Sequence, residues 1–271
     1  KILTKRLIKI KNYPIVIFPN KYFFKNKFLL KILISYMYLF FKILNLEKFN
    51  IIHGRSYFPS YIATLINTKK KFNVIFDMRS LLPEESISLN YWKKDSVIFN
   101  FWKKIEKYTI AHSEYVITVS KNMKKQVLKI NPDKNIINID LIGASKKINY
   151  DLDIRNKIRK NLNLIDKIVF LYVGSLDEDT NNNVKNYINF LNQFKEWNSA
   201  IKFLFVVPKI KKFHYKLFHN LDVSSEDIIF MEGLDKNIFL AADVGISILE
   251  KTYDSDTRFG IKIAEYLSHG L

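Results

Sequence analysis

Unbroken runs of apolar residues recur along this chain and alternate with stretches whose apolar residues return every third or fourth position. Short continuous runs fit strands buried on both faces, and the 3.6-residue period fits amphipathic helices. IVIF (Ile15 to Phe18) reads as the first strand and FLLKILISYMYLFFKIL (Phe28 to Leu44) as the helix after it. NIIHG, the helical YIATLI and the strand NVIFD come next. A helix from about Ser96 to His112 then leads to YVITVS, whose Ser120 stands where a cap for the helix KNMKKQVLKI is needed. The order β-α-β-α-β-α predicts a parallel, doubly wound sheet.

Small and polar residues from Ile142 to Asp153 break this rhythm, and a second cycle follows. It comprises the strand IVFLYVG (Ile168 to Gly174), the helix VKNYINFLNQFKEW, the strands KFLFVVP and DIIFMEG, a helix around Asn237 to Ala242, the strand VGISIL and a closing helix in RFGIKIAEYLSHGL. Two Rossmann-like domains are expected, residues 1–147 and 148–271, both incomplete and facing each other across a cleft. Ligands of such sheets gather beyond the carboxyl ends of the strands. His53 to Arg55, Asp77 to Arg79, Ser120, Gly174 to Ser175, Gly233 and the Asp254 to Gly260 loop are therefore the positions to watch. In the closing helix Ile261, Ile263, Ala264 and Leu267 read as core, with Glu265 and His269 sharing another face.

Charge alters this picture more than composition does. The chain carries a formal net charge of +18, and over its first fifty residues eleven Lys or Arg stand against a single acid, Glu47. Such a surface seeks anions: lipid headgroups, a phosphorylated substrate or nucleic acid. The apolar or hydroxylic run from Ile32 to Phe41 is too short to span a bilayer, which takes roughly 20 residues, and reads as a buried or interfacial helix. Basic and aromatic residues interleave from Tyr91 to Lys107, but no RNA-binding signature accompanies them, and nucleic acid is not expected as a partner. Cysteine is absent, which excludes disulfides and thiolate chemistry and is compatible with a cytoplasmic setting. Dinucleotide fingerprint, P-loop, zinc spacing and serine elbow are all missing. Starting at Lys1 and ending just after a glycine, the sequence reads as an excerpt of a longer chain.

VITVS, FLYVGSL, AADVGISIL and above all FGIKIAEYLSHG resemble retaining glycosyltransferases of the GT-B fold, the family-4-like group, over most of the chain from about Asn50. The resemblance implies sugar transfer from a nucleotide-sugar to a glycan or lipid-linked acceptor, in surface polysaccharide or lipopolysaccharide synthesis, with no metal or other cofactor. It implies that Glu265 accepts hydrogen bonds from the ribose hydroxyls, as an acceptor-only carboxylate can. Phe259 and Gly260 then form the turn where helix amides face the diphosphate. Gly174 and Ser175 border the donor, and Arg258 and Lys262 are candidates to neutralise it as it departs. In the first domain His53 matches a family histidine, and Arg79 stands where the family often has another; both are candidate catalytic residues. Arg55 and the Glu84-Glu85 pair would rim the acceptor side.

Two departures qualify the match. A glutamate often found eight residues before Glu265 is Thr257 here, and no basic residue follows Gly174 until Lys185. Two alternatives stay open: a nucleotide-sugar epimerase or hydrolase of the same fold, and a non-catalytic basic module that binds membrane or polyanion. Asp254 and Asp256 have the spacing of a metal-chelating pair, but lie away from the place where the other glycosyltransferase fold carries one.

Overall fold

A computed structural model describes residues 7–10, 13–16, 50–67, 72–140, 150–176, 184–198, 200–212, 214, 225–233, 235, 237–249, 251–258 and 260–271. Residues 1–48 and 49–271 form two units. In the first, strands β1 (Leu7–Ile10) and β2 (Tyr13–Val16) pair antiparallel. This corrects the expectation that IVIF opens the parallel sheet. Only two residues separate the strands, too few for the crossover that parallel pairing requires. The predicted helix from Phe28 to Leu44 and the interdomain segment 141–149 lie outside the described residues.

The second unit holds two four-stranded parallel sheets. One has the order β3 (Ile51–Arg55), β4 (Asn73–Met78), β5 (Tyr115–Thr118) and β6 (Ile136–Asn138). Four helices accompany it: α1 (Tyr57–Ile66), α2 (Leu82–Ser88), α3 (Val97–His112) and α4 (Lys121–Ile130). As predicted, Ser120 caps α4, its hydroxyl accepting from the Met123 amide at 3.1 Å. Ser96 caps α3 in the same manner.

The second sheet runs in the order β10 (Val244–Gly245), β7 (Ile168–Val173), β8 (Ile201–Val207), β9 (Ile228–Glu232). Its helices are α5 (Leu152–Asn161), α6 (Val184–Trp197), α7 (Ile238–Ala241) and α8 (Ile261–Ser268). Because strand side chains alternate, Phe170, Tyr172, Phe203 and Phe205 pack on Tyr187, Ile188 and Leu191 of α6. Val169, Leu171, Val173, Leu204 and Val206 face the other way, onto Ile238 and Phe239 of α7 and Tyr266 of α8. Each such side chain, fully buried, contributes about 1.5–3 kcal/mol, so the all-apolar sequence of β7 is what a two-sided sheet demands. Asp243 ties α5 to this sheet. Its carboxylate accepts from the Val169 amide at 2.8 Å and from the guanidiniums of Arg155 and Arg159.

The closing helix exists where the sequence places it, with a different face turned inward. Ile261, Ile263 and Leu267 are exposed, Leu267 at 69%, while Tyr266 is buried. Gly245 explains the choice: a Cβ there would lie 2.4 Å from the Tyr266 ring, so only a bare backbone admits it. The Tyr266 hydroxyl accepts from the Val173 amide and donates to the Ile246 carbonyl, both at 3.1 Å. Gly270, at φ +81°, ends the helix in a Schellman turn, in which the amides of Gly270 and Leu271 donate to the carbonyls of Leu267 and Tyr266.

Candidate active site

Tyr266 fixes α8 across the carboxyl end of β7, and that contact brings Lys262, one turn earlier, over Gly174. A Cβ on Gly174 would stand 2.6 Å from both Cε and Nζ of Lys262, and its φ of +145° suits glycine as well. Lys262 Nζ donates to the Tyr172 hydroxyl at 2.8 Å and lies 4.2 Å from the centre of that ring. The Tyr172 hydroxyl in turn donates to the Ser175 carbonyl at 2.7 Å, which leaves a lone pair for the ammonium. Burial pushes the Lys262 ammonium down to about 8, against the partly compensating charge of Glu265. Among the described residues no carboxylate lies within 4 Å of it. A desolvated cation at a strand end has the chemistry to receive an anion.

Gly174, Ser175 and Lys262 are thus gathered at the carboxyl end of β7. Gly260 caps α8, and Phe259 lies outside the described residues. Glu265 is half-buried, one turn from Lys262, with no hydrogen-bond donor to its carboxylate among the described residues.

Arg258 has a different setting. Its guanidinium pairs with Asp254 and lies 3.8 Å from Glu85 of α2. Asp254 is fully buried, and its other oxygen accepts from Ser88 at 2.7 Å and Thr252 at 3.1 Å. Beside it the Thr257 carbonyl accepts from Ser120 at 2.8 Å, and the Asp256 carbonyl from Asn122 at 3.0 Å. The loop before α8 therefore clasps the first sheet's helices α2 and α4. Asp256 is exposed while Asp254 is buried and engaged, so the two acids do not converge.

In the first sheet, His53 and Arg79 meet at Asp77, a residue sequence reasoning noted only by position. His53 Nε2 is 3.4 Å from Asp77 Oδ2, and Arg79 Nη1 is 4.0 Å from Oδ1. Asp77 is buried and its Oδ1 has no hydrogen-bond partner. The chain leaving β3 is strained there: Ser56 sits at φ 70°, ψ −179°, a region other residues leave to glycine. Glu84 is drawn to Lys103, which also pairs with the buried Glu106.

The sequence reading leaves out Tyr172 and places Asp77 and Asp254 without their partners. A signal existed for Tyr172, the one hydroxyl in an otherwise aliphatic and Phe-rich strand, two residues before Gly174 and hence on its face. For Asp254 the partner on the other sheet's helix, Ser88, lies 166 residues away, so no local pattern announces it.

Two parallel α/β sheets, with candidate residues at their strand ends and a loop of one bound to helices of the other, define a GT-B architecture. Solved structures agree. Sucrose-phosphate synthase from Thermosynechococcus elongatus is similar at a TM-score of 0.60 and 16% identity, covering 84% of this chain and 57% of its own. A Burkholderia xenovorans α,α-trehalose-phosphate synthase solved with glucose-6-phosphate matches at 0.60 and 9%, covering 88% and 60%. Anabaena Alr3699/HepE, solved in complex with UDP-glucose, matches at 0.60 and 12%, covering 88% and 61%. The chain thus spans about three-fifths of these proteins. Residues 5–137 match the family model described as Glycosyltransferase Family 4, so the resemblance read from the sequence is borne out over that stretch, and the fold is that of GT-B glycosyltransferases. No curated protein sequence matches it.

Proposed function

We propose that the protein is a glycosyltransferase that moves a sugar, with retention, from a nucleotide-sugar to a glycan or lipid-linked acceptor in surface polysaccharide or lipopolysaccharide synthesis. One observation carries the reading: Lys262, a desolvated ammonium, is held over bare Gly174 at a strand end, with Glu265 one turn further along. The ammonium meets the diphosphate and offsets the charge that grows as the sugar–phosphate bond breaks. Glu265 accepts the ribose hydroxyls, and Gly174 with Ser175 leaves room for the phosphates. His53, oriented by Asp77, and Arg79 receive and orient the acceptor hydroxyl. Arg258, engaged with Asp254 and Glu85, shapes the donor loop from behind. The residues form a site for charge and hydrogen bonds, and the reaction as proposed requires no metal.

The basic chain works at the cytoplasmic face of a membrane, held peripherally by anionic lipid, where lipid-linked acceptors reside. Among the described residues no helix is long and apolar enough to cross a bilayer. The resemblance in fold to the UDP-glucose complex of Alr3699/HepE supports a nucleotide-sugar donor.

Calorimetric titration of the protein with uridine, guanosine and cytidine diphosphate sugars tests the reading and identifies the base. Binding of one series that is lost in Glu265→Ala is the expected result. Unchanged binding in that variant sinks the donor assignment.

A further inference from the structure

The interleaved basic and aromatic segment noted in the sequence forms a surface that the sugar-transfer chemistry does not use. Between α2 and α3 the chain turns through Asn90 and Asp95, both left-handed at φ 58° and 59°, and Trp92 stacks on Trp102 at 6.2 Å. That stack pins the turn to α3. Beyond it, three apolar side chains project into solvent: Tyr91 at 64%, Val97 at 89% and Phe101 at 55% exposure. Val97 and Phe101 are spaced by four and share a helix face, which Lys104 continues. Ile98 is exposed beside them. Lys93, Lys94, Lys104 and Lys107 surround this tip, against one exposed acid in the same stretch, Asp95. The neighbouring Lys103 and Glu106 neutralise each other within the fold.

We infer that this tip, from Tyr91 to Lys107, is the surface by which the protein docks on anionic lipid, Val97 and Phe101 entering the headgroup–acyl boundary while the lysines contact the headgroups. The choice of occupant follows from the chemistry. A protein interface concentrates few lysines about its apolar centre, and a second copy carrying +18 would be repelled. Single-stranded nucleic acid seeks flat rings to stack on, whereas the most exposed side chain here is the branched, aliphatic Val97. Aliphatic and aromatic residues on one helical face, with lysines beside them, match an interfacial helix. The inference refines the membrane contact proposed above and is independent of the donor site.

Flotation with phosphatidylcholine vesicles, with and without phosphatidylglycerol, tests it. The protein should float with the anionic vesicles only. Lys93→Ala with Lys104→Ala should weaken binding about thirty-fold, roughly fivefold per lysine. Val97→Ser with Phe101→Ser, changes at exposed positions, should weaken it about tenfold or more. Calorimetric donor affinity should be the same in all variants, so loss of donor binding in the parent and loss of flotation in the variants are separate results. Flotation untouched by both double substitutions would overturn the inference, as would binding to single-stranded RNA that depends on the same residues more strongly than flotation does.

Discussion

Lys262 permits a prediction that an ordinary surface lysine would not. Its ammonium is brought down to about 8 by burial, with Glu265 restoring part of the loss, whereas an unperturbed lysine titrates near 10.5. A diphosphate is attracted only while the proton is on. Between pH 8 and the pKa of the bound state, donor association must therefore take up a proton, and affinity should fall with a slope approaching tenfold per pH unit. Between pH 7 and pH 9 the loss should be about tenfold. Lys262→Met should abolish that slope and lower affinity at pH 7 by about 10- to 100-fold, the value of a hydrogen bond to a charged group. The same substitution should stabilise the empty protein. With the native pKa below the unfolded one, the unfolded state binds more protons between pH 8 and 10.5, so stability rises with pH over that window. Holding the cation at pH 7 costs roughly 2–3 kcal/mol, partial solvent access allowed for. Calorimetry at a series of pH values, paired with urea unfolding of both forms, checks all three. A flat affinity profile to pH 9 in the parent, or the same slope in Lys262→Met, refutes the reasoning.

Asp254→Ala should destabilise the fold by about 1–3 kcal/mol in urea unfolding, because it removes the buried carboxylate that Arg258, Ser88 and Thr252 share. Tyr266→Phe leaves the Val173 amide without its acceptor and should cost about 1–3 kcal/mol in the same measurement. For Asp243, burial works to raise the carboxyl, but the Val169 amide and the guanidiniums of Arg155 and Arg159 outweigh it and hold the group below its ordinary value. Its stabilising contribution is complete above the unfolded pKa and disappears as pH falls through the native one; Asp243→Asn should flatten that acid limb in pH-dependent unfolding. His53→Ala and Arg79→Ala should each lower kcat by about 100-fold with donor affinity unchanged, read by steady-state kinetics beside calorimetry.

The alternation of strands and helices was legible because apolar runs such as IVFLYV suit a sheet covered on both faces. Ser120 was legible as a cap because a helix start leaves amides that a hydroxyl satisfies locally. What escaped was non-local. The inward face of α8 is chosen by Gly245, twenty-one residues before Tyr266, and periodicity within the helix alone favoured the isoleucines. The hairpin at the start escapes a reading of IVIF alone, because the strand that pairs with it, LIKI, lies upstream. Within the candidate site the charged ends of the strands were foreseeable, but their partners, Tyr172 for Lys262 and Asp77 for His53, emerge only once register and helix packing are known.

The loop from Thr252 to Arg258 grips the far lobe and then runs directly into the helix bearing Lys262 and Glu265. The grip and the proposed donor contacts thereby lie on one continuous piece of backbone. Any ligand that binds more tightly when the jaws are shut must, by reciprocity, be held less tightly when Ser88, Ser120 and Asn122 let go. Prising the lobes apart would then be a route to product release, with no change at the phosphates themselves.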